Sequence, residues 1–179
     1  MKKEQVMEWV KRFFWIICAV LVVRAIFIPI HITGSSMKPT IDEQDELIMT
    51  RFGKVKRFDI VVFETQNGER YIKRVVGLPG ETLTYKNDQL YINHQSIAEP
   101  FLKENKQKFH RTTQKMPYTS DFTLKQLLNI SRIPQGYYFV MGDNRRFSKD
   151  SRSIGLIEQK QLIGKVRGIY YPFNHLKLL

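Results

Sequence analysis

The 179-residue sequence predicts a mostly β domain behind one N-terminal transmembrane helix. Three features predict it: a continuous apolar run near the N-terminus, short alternating or β-branched runs after Pro29, and tight turns between them.

The apolar run comes first. Residues 13–23 are all apolar and show no polar face, and Arg24 then separates them from a second apolar run ending at Ile30. The 18 positions from Phe13 to Ile30 carry one charge, which meets the lower limit for spanning a bilayer. Trp9 and Trp15 suit an interface, and Arg24 suits snorkelling toward the far headgroups. Lys2, Lys3, Lys11 and Arg12 precede the run. By the positive-inside rule, residues 1–30 form a cytoplasmic N-terminus and anchor, and 31–179 form an extracytoplasmic domain. The expectation is a single-pass plasma-membrane protein with lipid as a partner. A cleaved signal peptide would show a polar stretch before its cut, whereas here Ile26-Phe27-Ile28 resumes the apolar run.

Strands are expected at 46–50, 59–64, 70–76, 82–85, 89–93, 137–141 and 164–171. Leu78-Pro79-Gly80 and Lys86-Asn87-Asp88 read as turns. Between 96 and 133 the pattern fades into polar, basic sequence, read as an insertion or subdomain. Only 123–130 looks helical there, with Thr123 and Gln126 spaced as a capping box.

Net charge is +12. Residues 1–30 hold five basic and two acidic side chains, or +3, which leaves +9 for the rest. That charge suits an anionic membrane surface or wall polymer, but it is scattered rather than gathered in a block, and no nucleic-acid partner is expected. The single cysteine, Cys18, excludes an internal disulfide and a cysteine-ligated zinc site. The four histidines lack metal-ligand spacing, so neither metal nor cofactor is expected.

Acyl transfer needs a nucleophile, a base and donors for an oxyanion. No serine sits in G-x-S-x-G. In Arg70–Val76, strand alternation puts Lys73 on one face with Tyr71 and Val75. Burial there would lower its pKa toward that of a usable base. Periodicity alone, however, favours an ordinary exposed lysine. Thr33–Thr40 reads either as a linker or as a nucleophile turn, with Gly34 allowing close approach. Ser35-Ser36-Met37-Lys38 also matches S-x-x-K, but Pro39 disfavours the helical turn that motif needs, and S-D-N and K-T-G are missing. Residues 141–152 read as a polar loop.

In this order the three stretches, with 57–63, resemble the bacterial type I signal peptidases. Gly34–Thr40 looks like that family's serine box, Arg57–Phe63 like its strand box and Tyr71–Glu81 like its lysine box. Gly142-Asp143-Asn144-Arg145 through Ser148, Asp150-Ser151-Arg152 and Gly155 looks like its last box. The resemblance implies the antiparallel β protease domain of that family, with Ser36 as nucleophile and Lys73 as general base. Ser148 would hydrogen-bond Lys73, and Asp150 with Arg152 would hold that loop, beside Asp143 of the same box. The Ser36 amide is one oxyanion donor. Some relatives place a serine where this chain has Gly34, so the second donor is unnamed. Many relatives carry an acidic residue and asparagine where this chain has Arg146-Phe147.

The implied substrates are signal peptides of secreted pre-proteins, delivered downstream of the export translocon and cleaved after small residues at −3 and −1. Such a peptide would pair as a strand with the segment before Ser36. Ile30, Ile32, Met37, Ile41 and Ile72 are the candidate pocket walls. One alternative is a self-cleaving Ser/Lys peptidase of similar fold, which predicts a DNA-binding helix-turn-helix ahead of the domain. Another is a non-catalytic tethered module for anionic polymers.

Overall fold

The computed structural model describes residues 3–31, 33–51, 53–113 and 116–179. Helix α1 (Lys3–Ile26) leads directly into β1 (Phe27–His31). There follow β2 (Glu46–Thr50), β3 (Ile60–Glu64), β4 (Arg70–Gly77), β5 (Leu83–Lys86), β6 (Gln89–Ile92) and β7 (Gln95–Ile97). Next come α2 (Lys103–Thr112), β8 (Phe122–Thr123), α3 (Leu124–Leu128), β9 (Tyr137–Met141) and α4 (Ser151–Ile154). The chain ends with β10 (Ile157–Glu158), β11 (Leu162–Tyr171) and β12 (Lys177–Leu178).

These strands form two antiparallel sheets. The larger runs β1-β2-β11-β3-β4-β9-β10, with β12 on β11, and the smaller runs β7-β6-β5-β8. Alternation along β4 serves two cores. Ile72 joins a cluster with Met37, Ile41, Leu47, Ile60 and Val62. On the other face Val75 joins Val61, Phe63, Tyr138 and Val140. The smaller sheet has its own core around Leu83, Tyr85, Leu90, Phe122 and Phe139. Where β4 ends, Gly77 lets this core close up, since a Cβ there would fall 2.4 Å from Ile133 Cδ1.

The β expectation holds, and three details differ. First, the apolar run does not stay helical through Ile30. The helix stops at Ile26, and Phe27–His31 pairs with β2 as an edge strand of the larger sheet. Pro29 suits such an edge and would break a helix, and Ile28 and Ile30 pack on the core.

Second, among the described residues no helix is long and apolar enough to cross a membrane. Glu8, Lys11 and Arg12 charge the first half of α1 and Arg24 its last turn, which confines the apolar stretch between them to 13–23. That stretch is nonetheless exposed at Phe13, Phe14, Trp15, Ile16, Ile17, Val20 and Leu21.

Third, 96–133 is more ordered than its sequence suggests. The capping box forms at Thr123 and Gln126, β8 completes the smaller sheet, and α2 appears where no apolar stripe announced a helix, since it buries none of its own residues.

Candidate active site

The site forms where the turn between β1 and β2 meets β4. Residues 35–40 turn tightly, closed by Lys38 N–H to Ser35 O at 3.2 Å and Ile41 N–H to Met37 O at 3.1 Å. Gly34 enters this turn at φ +112°, a conformation that side chains rarely adopt, so backbone geometry itself favours glycine there. Lys38 turns away from Ser36. Its Nζ lies 3.0 Å from Asp42, whose hydrogen bond and charge raise the lysine pKa.

Lys73 does the opposite. Its Nζ donates to Ser36 Oγ at 2.7 Å and to Ile72 O at 2.9 Å, and the residue is 2% exposed. No carboxylate is salt-bridged to it among the described residues. Burial lowers its pKa to about 8, against the opposing pull of the Asp150 and Asp143 charges. A lysine near that value presents a substantial free-amine fraction in mildly alkaline water.

The loop after β9 braces this pair. Gly142 sits where a Cβ would fall 2.3 Å from Ser148 Oγ and 2.5 Å from Ser36 O, so only glycine lets the loop reach the Ser36 turn. The Asn144 amide donates to Ser36 O at 3.0 Å, and its side-chain Nδ2 donates to Ser35 O at 3.2 Å. The Ser36 N–H is left without an acceptor among the described residues, free to face an oxyanion.

Asp143 and Asp150 anchor the loop. Asp143 is fully buried and accepts from Arg74 Nε at 2.9 Å, Arg74 Nη2 at 2.6 Å and Thr40 Oγ1 at 2.5 Å. It therefore ties the Ser36 turn to β4, one residue from Lys73. Asp150 accepts from Arg152 Nε and Nη2, each at 2.8 Å, and from Gly142 N–H at 3.0 Å. Burial pushes the Asp150 carboxyl up, but the Arg152 hydrogen bonds and charge with the Gly142 amide bring it below its ordinary value.

Ser148 departs from its expected role. Lys73 donates its hydrogen bonds to Ser36 Oγ and Ile72 O instead. The Ser148 Oγ is buried with no partner at hydrogen-bonding geometry.

An open groove of about 720 Å³ runs along Ser36 and Lys73. Ile30, Met37, Ile41 and Ile72 line it, as do Tyr71, Phe147 and Lys149. Ile32, the remaining pocket candidate, lies outside the described residues.

Sequence reasoning missed the supports that come from 96–133. Asn105 Nδ2 donates to both Lys38 O at 2.9 Å and Asp143 O at 3.0 Å, bridging the Ser36 turn and the bracing loop. Tyr118 Oη donates to Asp143 O at 2.9 Å. Glu99 accepts from Nη2 of the buried Arg145 at 2.6 Å. No local pattern marks such residues, because their partners lie 25 to 46 positions away, or 67 for Lys38.

A buried, carboxylate-free lysine on a serine hydroxyl, beside a free backbone amide in an open groove, has the parts of a serine peptidase of the Ser/Lys type. The family described as "Signal peptidase, peptidase S26" matches residues 6–171. Signal peptidase I V of Bacillus subtilis (strain 168) is 42% identical over 167 residues, covering 87% of this chain and 97% of that protein. Signal peptidase I of Bacillus caldolyticus is 40% identical, covering 90% and 89%. The crystal structure of a signal peptidase I from Enterococcus faecalis V583 matches with a TM-score of 0.59 at 43% identity, over 63% of this chain and 97% of that one. The chain belongs to the signal peptidase family, peptidase S26.

Proposed function

We propose that this protein removes signal peptides from exported pre-proteins, with Ser36 as nucleophile and Lys73 as general base. The observation that carries the reading is the 2.7 Å contact between Lys73 Nζ and Ser36 Oγ in a site that lowers the lysine pKa to about 8. Free Lys73 takes the Ser36 proton as Oγ attacks the carbonyl carbon of the residue at −1. The tetrahedral oxyanion then faces the Ser36 amide. Collapse expels the amine of the mature chain, which takes its proton from the Lys73 ammonium and leaves an acyl-enzyme. Lys73 next deprotonates a water, which hydrolyses the ester and frees Ser36.

The Ile30, Met37, Ile41 and Ile72 walls favour small side chains at −1 and −3. Asp143, Asp150 and Arg152 hold the loop that braces the dyad, and Ser148 lies beside them within it. The substrate adds as a strand along β1, which is already an edge of the larger sheet.

The same reading seats α1 in the plasma membrane with the β domain outside. Its support is the exposed apolar stretch of Phe13 to Leu21 between Arg12 and Arg24. Translocated pre-proteins would then meet the groove directly. Retention in membranes after carbonate washing is the expected result, and release into the wash removes this part of the proposal.

The central test is cleavage of a pre-protein by the purified full chain in detergent. Wild type should cleave, and Ser36→Ala and Lys73→Ala should not. Cleavage surviving in either variant removes the dyad. An inactive wild type points instead to a tethered binding module.

A further inference from the structure

We propose that Phe147 is a substrate-gripping wall of the catalytic groove, held in place by Arg146 stacked on α2, and that it binds an apolar side chain of the pre-protein. The inference rests on the proposed peptidase function and extends it to a residue outside the −1 and −3 pockets.

Arg146 and Phe147 point in different directions. Arg146 places its guanidinium 5.4 Å from the centre of the Phe109 ring on α2, within stacking range. Phe109 in turn meets Tyr118 at 5.6 Å, and Tyr118 is bound to Asp143 O. Arg146 is thus fixed to the same support as the bracing loop. Phe147 lines the groove with Ser36 and Lys73, yet it is 77% exposed. It belongs to none of the three apolar cores.

Its backbone is not loose. Phe147 N–H donates to Asn144 O at 3.0 Å, and Asn144 clamps the carbonyls of Ser35 and Ser36. Phe147 therefore keeps a set position relative to the nucleophile while its ring lies open to water. A ring that adds nothing to folding gains burial only when a chain fills the groove, where it contributes through the apolar area it loses to solvent.

Tyr71 makes the surface wider. Its ring lines the same groove and lies 5.9 Å from Lys149 Nζ, two residues beyond Phe147. The apolar wall is therefore bordered by the Lys149–Glu69 pair, 4.0 Å apart, whose charges offset one another.

The binding test uses the Ser36→Ala full chain in detergent, as a trap that holds substrate without cleaving it. The probe is a fluorescent peptide spanning a signal-peptide cleavage site. Adding Phe147→Ala should weaken binding about tenfold, the loss expected for exposing most of one aromatic ring. Phe147→Leu should restore most of the affinity, and Arg146→Ala should weaken it by a smaller factor. Because the ring is exposed, the melting temperature should stay within about 2 °C, which separates a binding role from a folding one. Equal affinity of Ser36→Ala with and without Phe147→Ala overturns the inference. Failure of the peptidase reading looks different: the unmutated chain would not cleave at all.

Discussion

Two buried lysines share one row of the larger sheet and live in opposite surroundings. Lys165 on β11 and Lys73 on β4 both lie opposite Val61 of the intervening β3, so the three residues stand side by side. Both are buried, at 7% and 2% exposure. Lys165 places its Nζ 2.7 Å from Asp59 and 3.0 Å from Lys54 O. Lys73 has the Ser36 hydroxyl, the Ile72 carbonyl and the Tyr71 ring 5.3 Å away, with no carboxylate salt-bridged to it among the described residues. A carboxylate compensates a buried ammonium, whereas a hydroxyl and a carbonyl do so poorly. The difference separates a lysine whose charge is compensated from one whose charge is not, although residue type, row and depth are nearly the same.

The sharpest way to break that comparison is to remove each lysine in turn. Lys73→Met should lower cleavage by about 10⁴-fold or more, since in the proposed mechanism it removes the base for both acylation and deacylation. Lys165→Met should leave kcat within about fivefold and lower the melting temperature by several degrees, because Asp59 loses its partner. Cleavage by both variants and their melting curves decide it. Comparable loss of kcat in both would show that burial in this row matters rather than the missing carboxylate.

The bracing loop provides the next largest effect. Gly142→Ala would drive a methyl toward Ser148 Oγ at 2.3 Å and Ser36 O at 2.5 Å, so one or both must shift. A displacement of that kind near the nucleophile costs about 100-fold in kcat. Unchanged kcat would show that the Lys73–Ser36 contact does not depend on the loop.

This pair of lysines also marks how far the sequence carries. Strands β2 and β9 match their predicted spans residue for residue, because alternation and turns are local signals. Lys73 and Lys165 both fall inside predicted strands, and alternation treats them alike. What singles out Lys73 in the sequence is its place in an ordered set of family boxes. The missing carboxylate beside it is a tertiary fact, as is Asp59 beside Lys165, 106 positions away. The same holds for Asn105, which reaches Lys38 and Asp143 from a helix whose polar sequence hid it. The bond expected from Ser148 to Lys73 fails for the converse reason. A box fixes which residues are near, while loop packing decides which atoms meet.

A buried lysine without a carboxylate should also be visible in stability. The folded Lys73 value of about 8 lies below the ordinary 10.5. Below pH 8 both folded and unfolded forms hold the proton, and folding bears the full cost, about 3 kcal/mol for a shift of this size. Between about 8 and 10.5 the unfolded chain binds more protons, so stability rises with pH and the cost fades. Lys73→Met lacks that titration. It should be more stable than wild type at pH 7, by an amount that shrinks toward pH 10.5. Denaturant unfolding across that range measures it, and a stability gap independent of pH would contradict the assigned shift.

The smallest effect is the most informative about what sets Lys73 apart. Burial lowers its pKa, while Asp150 and Asp143 hold it up from a distance. Asp150→Asn removes one of these charges and nearly preserves the side-chain shape. If the dyad stays buried, the Lys73 pKa falls further, and the ascending limb of the pH-rate profile moves to lower pH by a fraction of a unit. If the variant instead loosens the loop and admits water, the ammonium regains solvation and the limb moves to higher pH. The sign therefore separates an electrostatic role for Asp150 from a purely structural one. Asp59→Asn serves as the control, because its carboxylate pairs with Lys165 and is absent from the groups acting on Lys73. An equal shift in both variants would mean that the two lysines are not electrostatically distinct.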